Sequence, residues 1–347
     1  VVTLKVSDFD FFLPPELIAQ KHAEKREMSR LLIYHTQTQA SEDKSFSDII
    51  EYFCSGDLLV INDTRVIPAR LFGRKSSGAR VEFLLTGEQE PGLWEAMARP
   101  VKRLRPGTRV DVAGFELHVE EKLDWGGITV RFPENTDVHD FLQRHGHMPV
   151  PPYIHNDDEE YLRQRYQTVF ARKSGSVAAP TAGLHFTEEL LRDLREKGVE
   201  VVTITLHVGM GTFLPVKSDT VEGHRMHSEF YEISRKAAEA INNRRGRLFA
   251  CGTTVTRTLE HAAGRDGKVK PERGWSDLFI YPGYSYRIVE NLITNFHLPR
   301  STLLMLVSAL AGKEAILRLY REAVEKRYRF FSFGDAMLII TKEAHAV

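Results

Sequence analysis

Residues 186–209 read FTEELLRDLREKGVEVVTITLHVG, and this stretch decides the fold. Thr187 stands where a helix cap belongs, Glu188 and Glu189 put negative charge into the first turn, and Gly198 marks the stop. A strand follows at once over 199–206. The alternation continues downstream: a helix over 234–244, a strand over 247–251, a helix from Val255, strands over 277–281 and 292–296, helices over 302–311 and 314–326, and a last apolar strand over 337–340. Strands that alternate with helices predict a largely parallel or mixed sheet with helices on both faces, a three-layer α/β fold. Upstream, DLLVIN at 57–62 is another short apolar strand, bounded by Gly56 and Asp63. The first 70 residues are therefore expected to join the same sheet.

Between Ala69 and Pro149 the texture changes. Val81, Phe83 and Leu85 alternate with polar neighbours, and short strands follow over 93–98, 109–112, 115–119 and 128–132. Turn signals at Pro106-Gly107, Ala113-Gly114 and Gly126-Gly127 separate them, with no helix between. Such a run predicts a small antiparallel β-barrel or sandwich. The expected organisation is a discontinuous α/β catalytic domain, residues 1–70 plus 150–347, carrying an inserted β-barrel domain over 71–149; a chain of 347 residues accommodates both.

Composition narrows the function classes. With 42% hydrophobic and 27% charged residues the chain is globular rather than disordered. Lysine and arginine total 47, as do aspartate and glutamate, so no global field draws the protein onto nucleic acid, and an RNA contact must use a local patch. Cys54 and Cys251 form neither CxxC nor zinc spacing and read as small buried hydrophobes in a reducing compartment. The first ten residues have no basic or apolar region of an export signal, and the apolar stretch over 302–311 is too short to span a membrane. A cytoplasmic monomer is expected.

Four segments carry chemistry-bearing residues at predicted strand ends or helix starts. SVAAPTAGLHFT from Ser176 is a small, turn-rich loop feeding a helix, with Gly183 and His185 inside it; such a loop offers backbone N–H groups and a helix dipole to an anion. LHVGMGTFLP from Leu206 places His207, Gly209 and Gly211 at a strand's carboxyl end, where α/β sheets gather ligands. RLFACGTTVTR from Arg247 sets Gly252, Thr253 and Thr254 at a helix start, where the threonines serve either as caps or as a cradle. Asp277 begins the fourth segment and NFHLPRS, with His297, ends it. Each also reads as an ordinary turn. No HxxxH or HExxH is present, so no metal motif is seen. Basic residues beside aromatics suit phosphate contact and base stacking: Arg65 and Arg70, then Arg99, Lys102 and Arg103 near Trp94, and a group around Tyr328.

In order along the chain, FDFFLPPELIAQ from Phe9, GDLLVINDTRVIPARLFG from Gly56, SVAAPTAGLHFT from Ser176, LHVGMGTFLPV from Leu206, TNFHLPRSTLLMLVSALAG from Thr294 and YRFFSFGDAML from Tyr328 resemble the S-adenosylmethionine:tRNA ribosyltransferase-isomerase family of queuosine biosynthesis. The resemblance runs nearly end to end. It departs at 21–27, which lack a proline common in the family, and at TTVTRTLE after Gly252, where Arg257 is shifted by one place.

The resemblance implies transfer and isomerisation of the ribosyl part of S-adenosylmethionine onto 7-aminomethyl-7-deazaguanine at the wobble position of a tRNA. Epoxyqueuosine-tRNA forms, and adenine and methionine leave. S-adenosylmethionine is then a consumed substrate, and no metal or redox cofactor is implied. Such chemistry needs a base at the acidified C5′, a proton donor for adenine and a neutral acceptor amine. Candidates for proton handling are His185, His207, His297 and Glu229, then Asp277 and Asp335; Gly183, Gly209, Gly211, Gly252, Thr253 and Thr254 are candidates for holding the nucleoside or carboxylate. Arg65, Arg70, Arg99, Lys102, Arg103 and Tyr328 are candidates for tRNA contact. The competing readings are an S-adenosylmethionine-dependent tRNA methyltransferase and a tRNA-binding protein without catalysis.

Overall fold

The computed structural model describes residues 3–156, 158–209, 211 and 216–344. The chain opens with β1 (Arg30–His35), β2 (Ala40–Ser45), β3 (Leu58–Asn62) and the short β4 (Thr64–Val66). Six strands follow: β5 (Arg70–Arg74), β6 (Arg80–Glu90), β7 (Leu93–Arg99), β8 (Arg109–Val112), β9 (Phe115–Lys122) and β10 (Ile128–Arg131). Next come α1 (Val138–His145), α2 (Glu159–Arg165), β11 (Lys173–Ser176), α3 (Glu188–Glu196) and β12 (Glu200–Leu206). The remainder is β13 (Glu229–Ile233), α4 (Arg235–Asn242), β14 (Leu248–Cys251), α5 (Thr253–Ala262), β15 (Glu272–Ser276), β16 (Asn291–Asn295), α6 (Thr302–Ala311), α7 (Lys313–Glu325) and β17 (Ala336–Ile340).

Nine strands make one mixed sheet in the order β15-β13-β12-β3-β14-β16-β17-β1-β2. β12, β3, β14 and β16 are parallel neighbours. β17 runs against β16 and with β1. The antiparallel strands β13 and β15 extend one edge, and β2 closes the other.

The central strands read as unbroken apolar runs because both faces are buried. Leu58 and Val60 of β3 pack into a core shared with α4, α5, α6 and α7, whereas Leu59 and Ile61 pack on the opposite side with α3 and the 3-10 segment Phe46–Tyr52. β17 divides in the same way, Met337 and Ile339 to one face and Leu338 and Ile340 to the other. The result is the three-layer α/β fold expected from the alternation. Its punctuation is also as read: the Thr187 hydroxyl accepts from Leu190 N–H at 3.1 Å to cap α3, and Gly198 turns out of the helix at φ +89°.

Strands β5 to β10 close into a barrel in the order β10-β7-β6-β5-β8-β9. Its own core includes Leu71, Phe83, Val110, Leu117 and Val130, and α1 adds Phe141 and Leu142. The chain leaves and returns at one place, where Arg70 pairs with His147.

Three expectations are corrected. Residues 277–281 are not a strand; the strand is Glu272–Ser276, charged and largely exposed because it lies at the sheet's edge. The apolar Leu278, Phe279 and Tyr281 pack on the core as a loop instead. Second, α5 starts at Thr253 with Gly252 as its cap at φ +95°, so neither threonine caps it. Third, Cys251 is buried but Cys54 is exposed. Among the described residues, no helix is long and apolar enough to cross a membrane.

Candidate active site

Because β12, β3, β14 and β16 are parallel, their carboxyl ends share one edge of the sheet, the edge at which α/β folds form ligand crevices. A cavity of about 880 Å³ opens there. Gly252, Thr253 and Thr254 line it from the start of α5, and Thr294, Asn295, Phe296 and His297 from the end of β16. The turn at 179–182, Tyr153 with Phe331, and segments 5–7 and 216–220 complete the wall. Tyr153 and Phe331 are stacked with ring centroids 4.5 Å apart, and the Tyr153 hydroxyl lies 2.7 Å from Ser332 Oγ. Burial pushes that phenol up to about 12, so it stays protonated.

Of the three histidines, His297 lines the cavity and the other two do not. Its Nε2 is 2.9 Å from Thr294 Oγ1, and its backbone N–H donates to the Tyr320 hydroxyl at 3.1 Å. Burial lowers its pKa to about 3, which keeps the ring neutral at physiological pH. His185 is enclosed. Its Nδ1 lies 2.9 Å from Ser29 Oγ, its Nε2 is 3.1 Å from Asn295 Nδ2, and its ring stacks on Phe46 at 5.0 Å. Burial first, then the cations Arg329 and Arg26, lower it to about 3. His207 follows β12 with Nδ1 2.8 Å from Thr64 Oγ1 and its ring against Phe230. Burial lowers its pKa while the Asp63 carboxylate opposes the shift. Gly175, at φ +144°, lets this ring lie close, since a Cβ there would sit 2.9 Å from Nε2.

The acidic candidates separate as well. Glu229 is buried and paired to Arg257 at 2.5 Å, and its other oxygen accepts from Gly209 N–H at 3.0 Å. The pair thus braces the turn after β12 from beneath. Asp335 is buried and accepts from the backbone N–H groups of Arg30 and Arg329, at 3.1 and 2.8 Å, and from the Arg329 guanidinium. It ties the start of β1 to the loop before β17. Asp277 is exposed in the loop after β15 and does not line the cavity.

Gly183 is needed for packing, because a Cβ there would meet Phe170 at 2.7 Å. At Gly211 a Cβ would meet the side chain of His227 at 2.7 Å; its neighbours Met210 and residues 212–215 lie outside the described residues. Among the RNA candidates, Arg65, Arg99, Lys102 and Arg103 are exposed. Arg70 is paired with Glu82 at 2.8 Å. Tyr328 is fully buried, under the Arg30 guanidinium at 3.6 Å, with its hydroxyl on Asp43 at 2.5 Å. No ring face is left for a base. Among the described residues no group of three or more His, Cys, Asp or Glu is placed to hold a metal ion.

Sequence reasoning missed Asn295, Thr294 and Tyr153. The first two lie in the quoted segment TNFHLPRS, where attention went to the titratable His297; nothing local marks Tyr153.

A large, mostly uncharged cavity at the carboxyl edge of a mixed sheet, fed by the starts of α5 and α6, defines an α/β enzyme that binds a small molecule. The chain belongs to a family described as queuosine biosynthesis protein, whose profile matches residues 6–339. A curated relative from Symbiobacterium thermophilum, named S-adenosylmethionine:tRNA ribosyltransferase-isomerase, is 54% identical over 344 residues, covering 97% of this chain and 100% of the relative. One of the same name from Geobacter metallireducens is 52% identical with the same coverage. The crystal structure of an S-adenosylmethionine tRNA ribosyltransferase from Thermotoga maritima matches with TM-score 0.55 and 38% identity, over 96% of this chain and 100% of that one. The chain is an enzyme of the transferase class.

Proposed function

We propose that this enzyme transfers and isomerises the ribosyl part of S-adenosylmethionine onto 7-aminomethyl-7-deazaguanine at a tRNA wobble position, releasing adenine and methionine and leaving epoxyqueuosine-tRNA. The observation that carries this is the coincidence of a full-length family match with one roomy cavity where His297, Asn295, Thr254 and the start of α5 converge. Its 880 Å³ falls in the upper range of small-molecule sites.

Each part of the cavity answers a demand of the reaction. The first-turn N–H groups of α5, which no side chain caps, suit the methionine carboxylate. The stacked Tyr153 and Phe331 offer an apolar wall to a flat base. His297 supplies an imidazole whose neutral form dominates at pH 7, ready to accept a proton from C5′ or from the acceptor ammonium. So low a pKa makes it a weak base, and the sulfonium, by acidifying C5′, lowers what is asked of it. In this reading S-adenosylmethionine is consumed, no metal or redox cofactor takes part, and the protein acts as a cytoplasmic monomer.

The test is to mix the protein with S-adenosylmethionine and a tRNA carrying the aminomethyl-deazaguanine base. Adenine, methionine and the new nucleoside should appear together, with none from guanine-bearing tRNA. Retention of a labelled methyl group on the RNA would instead show a methyltransferase.

A further inference from the structure

Asn295 ends β16 and is 3% exposed. Its amide nitrogen donates to the Phe331 carbonyl at 3.2 Å and lies 3.5 Å from the Asp335 carbonyl. Carbonyls only accept, so the nitrogen must face them and the amide cannot be turned over. His185 enforces the same orientation. The Ser29 hydroxyl donates to the Arg26 carbonyl at 3.1 Å, so His185 Nδ1–H donates to Ser29 Oγ, and Nε2 accepts from Asn295 Nδ2 at 3.1 Å. The neutral ring that this chain of hydrogen bonds requires is the form that burial maintains.

What remains is Asn295 Oδ1, a buried acceptor with no partner, on a residue that lines the cavity. Thr254 Oγ1 is in the same condition, on a residue 8% exposed in the same lining. Buried polar atoms are rarely left unpaired, and two in one cavity point to a ligand that satisfies them.

We infer that Asn295 is a specificity-determining residue of the proposed S-adenosylmethionine site, its Oδ1 accepting a hydrogen bond from the exocyclic amino group of adenine. The inference rests on the proposed function. The alternative donor on the same substrate is the methionine α-ammonium, and the charges of the site disfavour it. Among the described lining residues one carboxylate is present, Asp219, and it is exposed. A cation held at Asn295 would be desolvated without a counter-charge, whereas the adenine amine is neutral. Thr254 Oγ1, able to donate or accept, is the second polar group within the lining for a ring nitrogen. His185 is thus a positioning residue that acts through Asn295.

The experiment compares binding of S-adenosylmethionine and of its analogue with hydrogen in place of the 6-amino group, by calorimetry, to the wild type and to Asn295→Ala. The wild type should prefer S-adenosylmethionine by roughly 10- to 100-fold, and the variant should bind both about equally. Equal binding by the wild type, or equal weakening of both ligands in the variant, would overturn the inference. If Asn295→Ala does not fold, Asn295→Gln, which moves the oxygen by one methylene, reads the same ratio. Failure of the wild type to bind S-adenosylmethionine at all would remove the proposed function and this inference together; binding without discrimination would remove this inference alone.

Discussion

His297 and His185 are depressed to the same pKa of about 3 by burial, yet their surroundings give them different work. His297 lines the cavity, while His185 is closed in by Ser29, Asn295 and Phe46. Replacing His297 with Ala should therefore lower single-turnover adenine release by roughly 10²–10⁴-fold while the melting temperature changes little. Replacing His185 with Ala should first cost stability, on the order of 1–3 kcal/mol for the buried groups left unpaired, as a denaturant titration would show. An unchanged rate in the His297 variant would contradict the assignment. The sequence could not rank these two. Both are histidines beside a predicted element end, and only the packing of distant segments decides which one faces the cavity. Asn295 was harder still to see, since an amide does not titrate and its significance lies in a lone pair that the fold leaves unmatched.

At the scale of elements, the two edges of the parallel strands differ in kind. At the amino edge, Arg247 is buried and paired to Asp57 at 2.7 Å, clamping the starts of β14 and β3. Asp57→Ala leaves a buried guanidinium uncompensated and should destabilise by about 3–5 kcal/mol, with adenine release per folded molecule unchanged; urea unfolding and a rate normalised to folded protein test this. At the carboxyl edge, Gly252 holds φ +95° and ψ 157°, a region nearly reserved to glycine. A Cβ there meets only ordinary contacts at 3.6 Å, so the cost of Gly252→Ala is backbone strain of about 1–3 kcal/mol. Relief of that strain would move the start of α5, so weaker S-adenosylmethionine binding should accompany the stability loss. The buried elements were legible because cap chemistry and apolar runs are local: α3, β12, α4, β14 and α6 lie where the sequence puts them, within two residues. The edge strands β2 and β15 were not, because ASEDKS and ERGWS face solvent and carry no apolar alternation. The same blindness made the apolar 278–281 look like a strand.

For the molecule as a whole, three buried histidines link stability to pH. His22 is lowered to about 2 and His185 and His297 to about 3, each chiefly by burial. Unfolding restores a pKa near 6.5, so the unfolded chain binds more protons between those values. Their contribution is complete above about pH 6.5 and is lost as pH falls toward 3, at up to about 1.4 kcal/mol per pH unit for each group. Melting temperature should fall on acidification below pH 6.5 and level off above it; a flat profile from pH 4.5 to 7 would contradict this. With no net charge to draw RNA in, binding must rest on local patches such as exposed Arg99, Lys102 and Arg103 on the barrel. Replacing all three with Ala should weaken tRNA binding and flatten its dependence on salt by about one phosphate contact for each residue that contacts one. The central claim is that the cavity at the carboxyl edge dismantles S-adenosylmethionine on a tRNA. The most direct test is a single-turnover reaction on tRNA bearing 7-aminomethyl-7-deazaguanine, with adenine and the modified nucleoside quantified together. The account predicts one adenine per nucleoside formed by the wild type and a large loss of both in His297→Ala; adenine release without a modified nucleoside, or full activity in that variant, would contradict it.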